Sequence, residues 1–158
     1  MKQQAWKTYA LWIVGTELVG ALSGFLTREG TKLYSASIVK PPLSPPAIVF
    51  PVAWALLYAL MAIGAARVYL TKLTAARSRS LRIYLIQLAF NFLWSIIFFN
   101  LQAFGMAFVW LAALWALILM MLLAFRGVDR RASALQYPYL LWVLFAGYLN
   151  LGVWMLNG

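Results

Sequence analysis

The run AFGMAFVWLAALWALILMMLLAF, Ala103–Phe125, contains no charge, no amide and no proline. At about 1.5 Å per residue it is long enough to cross a hydrocarbon layer about 30 Å thick. A helix that packs on the core of a soluble domain keeps one polar face, and this run has none, so it reads as a membrane span. Working outward, four more apolar runs lie at Thr8–Leu26, Ile48–Leu70, Ile83–Asn100 and Ser133–Leu156. The chain has 158 residues, 65% of them hydrophobic, where a soluble domain carries about 45 to 50%. Its mean hydropathy is +0.85. The expected fold is an all-α membrane protein, a bundle of five transmembrane helices forming a single domain over residues 1–158, with the lipid bilayer as its first partner.

Composition removes most enzyme chemistry. The chain has no Cys and no His, which excludes disulfides, thiolate nucleophiles and imidazole-based acid–base or metal chemistry. Only Glu17, Glu29 and Asp129 are acidic, so carboxylate metal clusters and paired-carboxylate hydrolysis are poorly supplied. Thirteen Lys and Arg give a net charge of +10. These cations sit in short gaps between apolar runs and form no basic stripe interleaved with aromatics. They therefore read as headgroup-level flanks, and no nucleic-acid partner is expected.

The gaps give an orientation. Lys2, Lys7, Lys72, Arg77, Arg79, Arg82, Arg126, Arg130 and Arg131 fall on one side, against Arg28, Lys32 and Lys40 on the other. The positive-inside rule puts the N-terminus in the cytoplasm, with a bacterial cell membrane as the expected location. The first run could mimic a signal peptide, but it is long, carries Glu17 and lacks a small-residue cleavage site directly after it. The one long connection, Thr27–Ala47, contains KPPLSPP (Lys40–Pro46), whose prolines lack amide hydrogens. It is expected to be an ordered loop capping one end of the bundle.

Polar and aromatic residues converge within the spans. Thr16, Gly20 and Gly24 form a small-residue stripe on the first span, suited to close packing inside the monomer or to a dimer face. Gln87, Asn91, Trp94 and Phe98 lie within an arc of about 60° on the third span. An amide in hydrocarbon needs a partner, so this face is expected to look into the bundle, as interhelical packing or as a ligand-orienting group. Trp54, Tyr58, Met61 and Ala65 form a stripe on the second span; Pro138, Trp142, Phe145 and Leu149, with Ala146 beside them, form one on the fifth. Together they suggest a cavity for a flat aromatic ligand. Glu17, the one acid within a span, is a functional candidate in itself. A proton-coupled exporter using Glu17 is the competing reading, although such exporters are shorter four-span proteins without the proline loop.

Three segments carry a resemblance: KPPLSPPAIVFPVAWALLYALMAIGAARV (Lys40–Val68), QLAFNFLWSIIFF (Gln87–Phe99) and PYLLWVLFAGYLNLGVWMLN (Pro138–Asn157). In this order they resemble the TspO/MBR family, the tryptophan-rich sensory proteins and translocator proteins. The resemblance implies a five-helix bundle with a pocket under the loop between the first two spans. It implies porphyrin, haem or benzodiazepine-site ligands and a homodimer. Carried over residue by residue, the pocket maps to Tyr34, Pro45, Trp54, Asn91, Trp94, Trp142 and Ala146. The aromatic and amide stripes add Gln87 and Phe145 as ligand-binding candidates.

The family usually has a tryptophan in the loop where this chain has Leu43, which weakens any stacking role for the loop. No Lys or Arg follows Tyr148, so the cholesterol motif of animal members is not matched. The expected function is a tetrapyrrole-binding sensor, regulator or transporter, with no required cofactor and no metal site. Haem would lack the usual strong axial ligands and be held by its macrocycle face and its propionates, with Lys40 or Arg28 as candidate partners for the latter. Light-dependent porphyrin degradation is the one enzymatic alternative.

Overall fold

Thr74 and Asp129 fix the two helix starts that hydropathy alone misplaces. In the computed structural model, which describes residues 2–158 and side chains from residue 4, Thr74 Oγ1 accepts the Arg77 amide at 3.2 Å. Asp129 Oδ1 accepts the amides of Arg131 and Ala132 at 2.8 and 3.0 Å. Both are N-caps, supplying acceptors for the orphan amides of a first turn. Five long helices result: α1 (Lys2–Leu26), α3 (Val49–Tyr69), α4 (Ala75–Ser95), α5 (Phe104–Arg126) and α7 (Tyr137–Asn157). Two short ones, α2 (Arg28–Ser37) and α6 (Arg130–Ala134), fill gaps. A π-helical turn, Ile96–Asn100, continues α4. No strand occurs among the described residues, and five segments are long and apolar enough to span a membrane.

The capped starts change the expected boundaries. The third span begins at Ala75, so Arg77, Arg79 and Arg82 lie within the first eight residues of a helix, not in a loop. The fifth span is preceded by α6 and a break at Leu135–Gln136, with Pro138 in the first turn of α7. The side chain of Lys2, counted in the orientation, lies outside the described ones. The connection between the first two spans keeps its prolines and its place, but its first half is helix. Thr27 turns the chain, with its amide bonded to the Ser23 carbonyl at 3.0 Å and its own carbonyl accepting Thr31 N at 2.8 Å. Nothing in residues 28–37 breaks a helix, and only at Pro41 does the backbone lose the donors it needs.

The spans form a ring: α1 packs on α3, α3 on α7 and α4, α4 on α5, and α5 on α7, with a lighter α1–α4 contact. Ala107, Leu111, Leu114, Ile118, Met121 and Phe125 make α5 the apolar backing of the bundle. On α7 the buried stripe is Tyr139, Val143, Ala146, Leu149, Asn150 and Val153; of the expected stripe Leu149 is buried, Trp142 and Phe145 are half-buried and Pro138 is exposed. The helix is rotated relative to the expected stripe because Tyr139 and Asn150 must reach hydrogen-bond partners inside the ring. Gly20 answers the small-residue motif within one chain: a Cβ there would overlap the Tyr58 ring, whereas Gly24 has nothing within 4 Å of that position.

At the end opposite the prolines, Arg67 Nη2 meets Asp129 Oδ2 at 2.8 Å, tying the last turn of α3 to α6. Partial burial raises the Asp129 carboxyl, but the Ala132 and Arg131 amides and the Arg67 guanidinium outweigh it and hold it below the usual carboxylate range. A depressed native pKa stabilises the fold above the unfolded value of about 3.9, and that contribution is lost as pH falls through the native value. Asp129→Ala is expected to lower stability at neutral pH by about 1–2 kcal/mol, since both cap and ion pair go. Asp129→Asn should lose less, and its gap from wild type should close as pH drops below about 4. Thermal unfolding in detergent across pH 3 to 7 checks both expectations; a gap independent of pH would exclude the ionised pair.

Candidate functional site

Four of the five spans surround a cavity that α5 does not touch. It measures about 700 Å³, within the range of small-molecule sites. Its walls come from Trp54 and Tyr58 on α3, Asn91 and Trp94 on α4, Phe98 on the π-helical turn, Trp142 and Ala146 on α7, and Glu17, Gly20 and Gly24 on α1. Tyr34 of α2 and Lys40, Ser44 and Pro45 of the loop close it on the lid side. Thus Tyr34, Pro45, Trp54, Asn91, Trp94, Trp142 and Ala146 share one wall. Gln87 and Phe145 do not line it.

Trp54 is the centre of an aromatic cluster. Its ring centroid lies 6.5 Å from Trp94, 6.4 Å from Trp142, 5.7 Å from Tyr58 and 6.3 Å from Tyr139. These tilted and edge-on arrangements suit ring quadrupoles, and the three indoles line the cavity. Phe145 supports from behind, 5.8 Å from Trp142 and 6.2 Å from Tyr148. The Trp142 indole N–H is buried without a partner.

Beneath the aromatics runs a buried chain of hydrogen bonds. The Tyr58 hydroxyl donates to Asn91 Oδ1 at 2.7 Å, and Asn91 Nδ2 donates to the Tyr139 hydroxyl at 2.7 Å. That hydroxyl donates to Gln87 Oε1 at 2.8 Å, and Gln87 Nε2 points at Met61 Sδ at 3.7 Å. A second link runs from Trp94 Nε1 to Asn150 Oδ1 at 3.1 Å, with Asn150 Nδ2 on the Phe104 carbonyl at 2.8 Å. Gln87 therefore orients Tyr139 from outside the cavity, and Asn91 is both interhelical glue and cavity wall. Tyr139 and Asn150 were not among the sequence candidates. Their signal was there: two polar-tipped residues three helical turns apart on an otherwise apolar helix.

The lid is tied to the bundle from both sides. Asn157 clamps Val39, accepting its amide at 3.0 Å and donating to its carbonyl at 2.8 Å. The Tyr148 hydroxyl donates to the Pro42 carbonyl at 2.7 Å. Pro42 and Leu43 turn the chain, with Leu43 at φ 68° and Ser44 Oγ donating to the Pro41 carbonyl at 2.7 Å. Leu43 is 81% exposed and lies off the cavity wall. Gly152 and Gly30 are the close approaches: a Cβ on Gly152 would overlap the Pro41 ring, and one on Gly30 the Phe99 carbonyl. Within the lid, Tyr34 packs 5.4 Å from Phe98 and 5.5 Å from Phe99, and Lys40 Nζ lies 5.2 Å over its ring. Burial pushes the Tyr34 phenol up, so it faces the cavity as a neutral hydroxyl. Among the described residues no group of His, Cys, Asp and Glu could hold a metal ion.

A sequence profile of the TspO/MBR family matches residues 12–155, a span that includes every cavity residue. The chain belongs to the TspO/MBR family. It is 36% identical over 150 residues to Protein CrtK of Rhodobacter capsulatus, covering 94% of this chain and 92% of that one. It is 35% identical to the tryptophan-rich protein TspO of Chlorobaculum tepidum, covering 95% and 96%. The Translocator protein of Bos taurus is 36% identical, covering 91% and 89%. These relatives and the five apolar helices make the chain an integral membrane protein of this family.

Gly152→Leu places a side chain where Pro41 sits. The α7 helix should persist in far-UV circular dichroism while the loop at residues 38–48 is released, read as a gain in limited proteolysis there. Unchanged cleavage would mean that the loop is held without this contact.

Proposed function

We propose that the cavity binds a tetrapyrrole, porphyrin or haem, and that the protein acts through this binding as a membrane sensor, regulator or transporter. The observation that carries the reading is the cluster of Trp54, Trp94 and Trp142 around one apolar cavity with Lys40 and Arg28 on its lid side. Flat macrocycles are retained by stacking on indole faces, and propionates by cations at the lid. With no His or Cys in the chain, haem would be recognised by its face and its carboxylates. The same apolar walls suit benzodiazepine-site ligands. The names of relatives, tryptophan-rich sensory protein and Translocator protein, favour sensing or translocation over catalysis. A homodimer in a bacterial cell membrane, with the N-terminus cytoplasmic, completes the proposal; the bacterial relatives and the distribution of cations support it.

The test is quenching of tryptophan fluorescence by protoporphyrin IX and by haemin on purified protein in detergent. Saturable quenching is expected, weakened about tenfold by Trp142→Phe, which removes indole surface, and by Ala146→Leu, which fills the cavity. Linear quenching unaffected by either substitution would mean partitioning into the micelle and would refute the site.

A further inference from the structure

Glu17 is the one carboxylate on the cavity wall, and no described residue neutralises it. The ion pairs of the described residues are Arg28–Glu29, Lys32–Glu29 and Arg67–Asp129. The two cations of the wall, Arg28 and Lys40, belong to the lid. Glu17 lies about 14 Å inward of Leu26 along α1, near the middle of the span. Chain direction places it level with Tyr58 on α3 and Asn91 on α4, which are also about 14 Å inward of the lid ends of their spans. The polar atoms nearby are already engaged, since Tyr58 donates to Asn91 and Asn91 to Tyr139. Thr16, its neighbour on α1, is bonded to Tyr84.

An unpaired carboxylate at mid-membrane depth is unfavourable unless something compensates. Here it borders a cavity large enough for a drug-sized molecule. The rings of Tyr58 and Trp54 line the same cavity, and aromatic faces attract cations. Carboxylate, aromatic faces and enclosed volume together form the features of an ammonium site.

We propose that the floor of the cavity is a cation subsite, where Glu17 pairs with a protonated amine carried by a flat aromatic ligand. The cavity then has a charge polarity, with anionic groups at the Arg28 and Lys40 lid and cationic groups at the Glu17 floor. The proposal rests on the cavity being a ligand site and not on the ligand being a tetrapyrrole, so it extends the ligand class to aromatic amines.

The test uses two probes of similar shape, 9-aminoacridine, cationic at neutral pH, and neutral 9-methylanthracene, read by tryptophan quenching in a non-ionic detergent. Wild type should bind the cation more tightly. The cation-to-neutral affinity ratio should fall about tenfold in Glu17→Gln and be partly kept in Glu17→Asp. Trp142→Phe should weaken both probes and leave the ratio in place. A ratio unchanged by Glu17→Gln would overturn the subsite, as would a wild type that prefers the neutral probe or gives no saturable quenching with the cation. The wild-type preference alone decides the matter if the Gln variant does not fold. Protoporphyrin binding is measured separately, so failure of either reading leaves the other standing.

Discussion

The hydrogen-bond chain Tyr58–Asn91–Tyr139–Gln87 joins α3, α4 and α7 through buried side chains. In lipid no hydrophobic drive brings helices together, so shape and interhelical hydrogen bonds set rotation and register. Each such bond is worth about 0.6–2 kcal/mol, but an unmatched amide in hydrocarbon is worse still. Rotating α7 by one residue would withdraw Tyr139 from Asn91 and Gln87, and Asn150 from Trp94, together. The chain therefore fixes where every indole on these helices points. The aromatic cavity is a consequence of that polar layer: Asn91 lies on its wall, while Gln87 sets Tyr139 from behind.

A cavity of about 700 Å³ among five spans needs support on two sides. Behind it, α5 contributes none of the wall and packs its buried face on α4 and α7, so two of the lining helices have a rigid apolar backing. Above it, the lid is held by backbone-level contacts at Gly152 and Gly30 and by the Asn157 clamp. Small residues serve different ends here. Gly20 admits the Tyr58 ring between α1 and α3, whereas Gly24 faces open space on the cavity wall.

The five spans were legible because apolar length is a one-dimensional property, and hydrocarbon imposes it residue by residue. The facing stripe of α4 was legible for a related reason: two amides at helical spacing have only one tolerable direction. What escaped was set by three-dimensional partners. α2 is short and mixed in polarity, and its packing on the π-helical turn through Gly30 leaves no periodic trace. The rotation of α7 is chosen by Tyr139 and Asn150, whose partners lie 46 to 56 residues away. Hydropathy shows Tyr139 as one more apolar aromatic. The starts of α4 and α6 depend on single cap residues, Thr74 and Asp129, whose effect is local and polar inside windows dominated by apolar averages.

Leu43 shows how a loop can change while the cavity below it keeps its form. The turn at Pro42–Leu43 is built by backbone and by Ser44, and Tyr148 reads the Pro42 carbonyl, so no indole is needed to place the lid. The exposed Leu43 side chain takes no part in the wall. For the proposed ligand site, selectivity would rest on what the wall itself presents: three indoles, the Tyr34 hydroxyl, two lid cations and the carboxylate of Glu17. Stacking surfaces tolerate many flat molecules, and charges placed at opposite ends of a low-dielectric cavity discriminate among them by sign and by length. In the proposed site the indoles would supply affinity, and the spacing between the lid cations and Glu17 would set which way round a ligand lies.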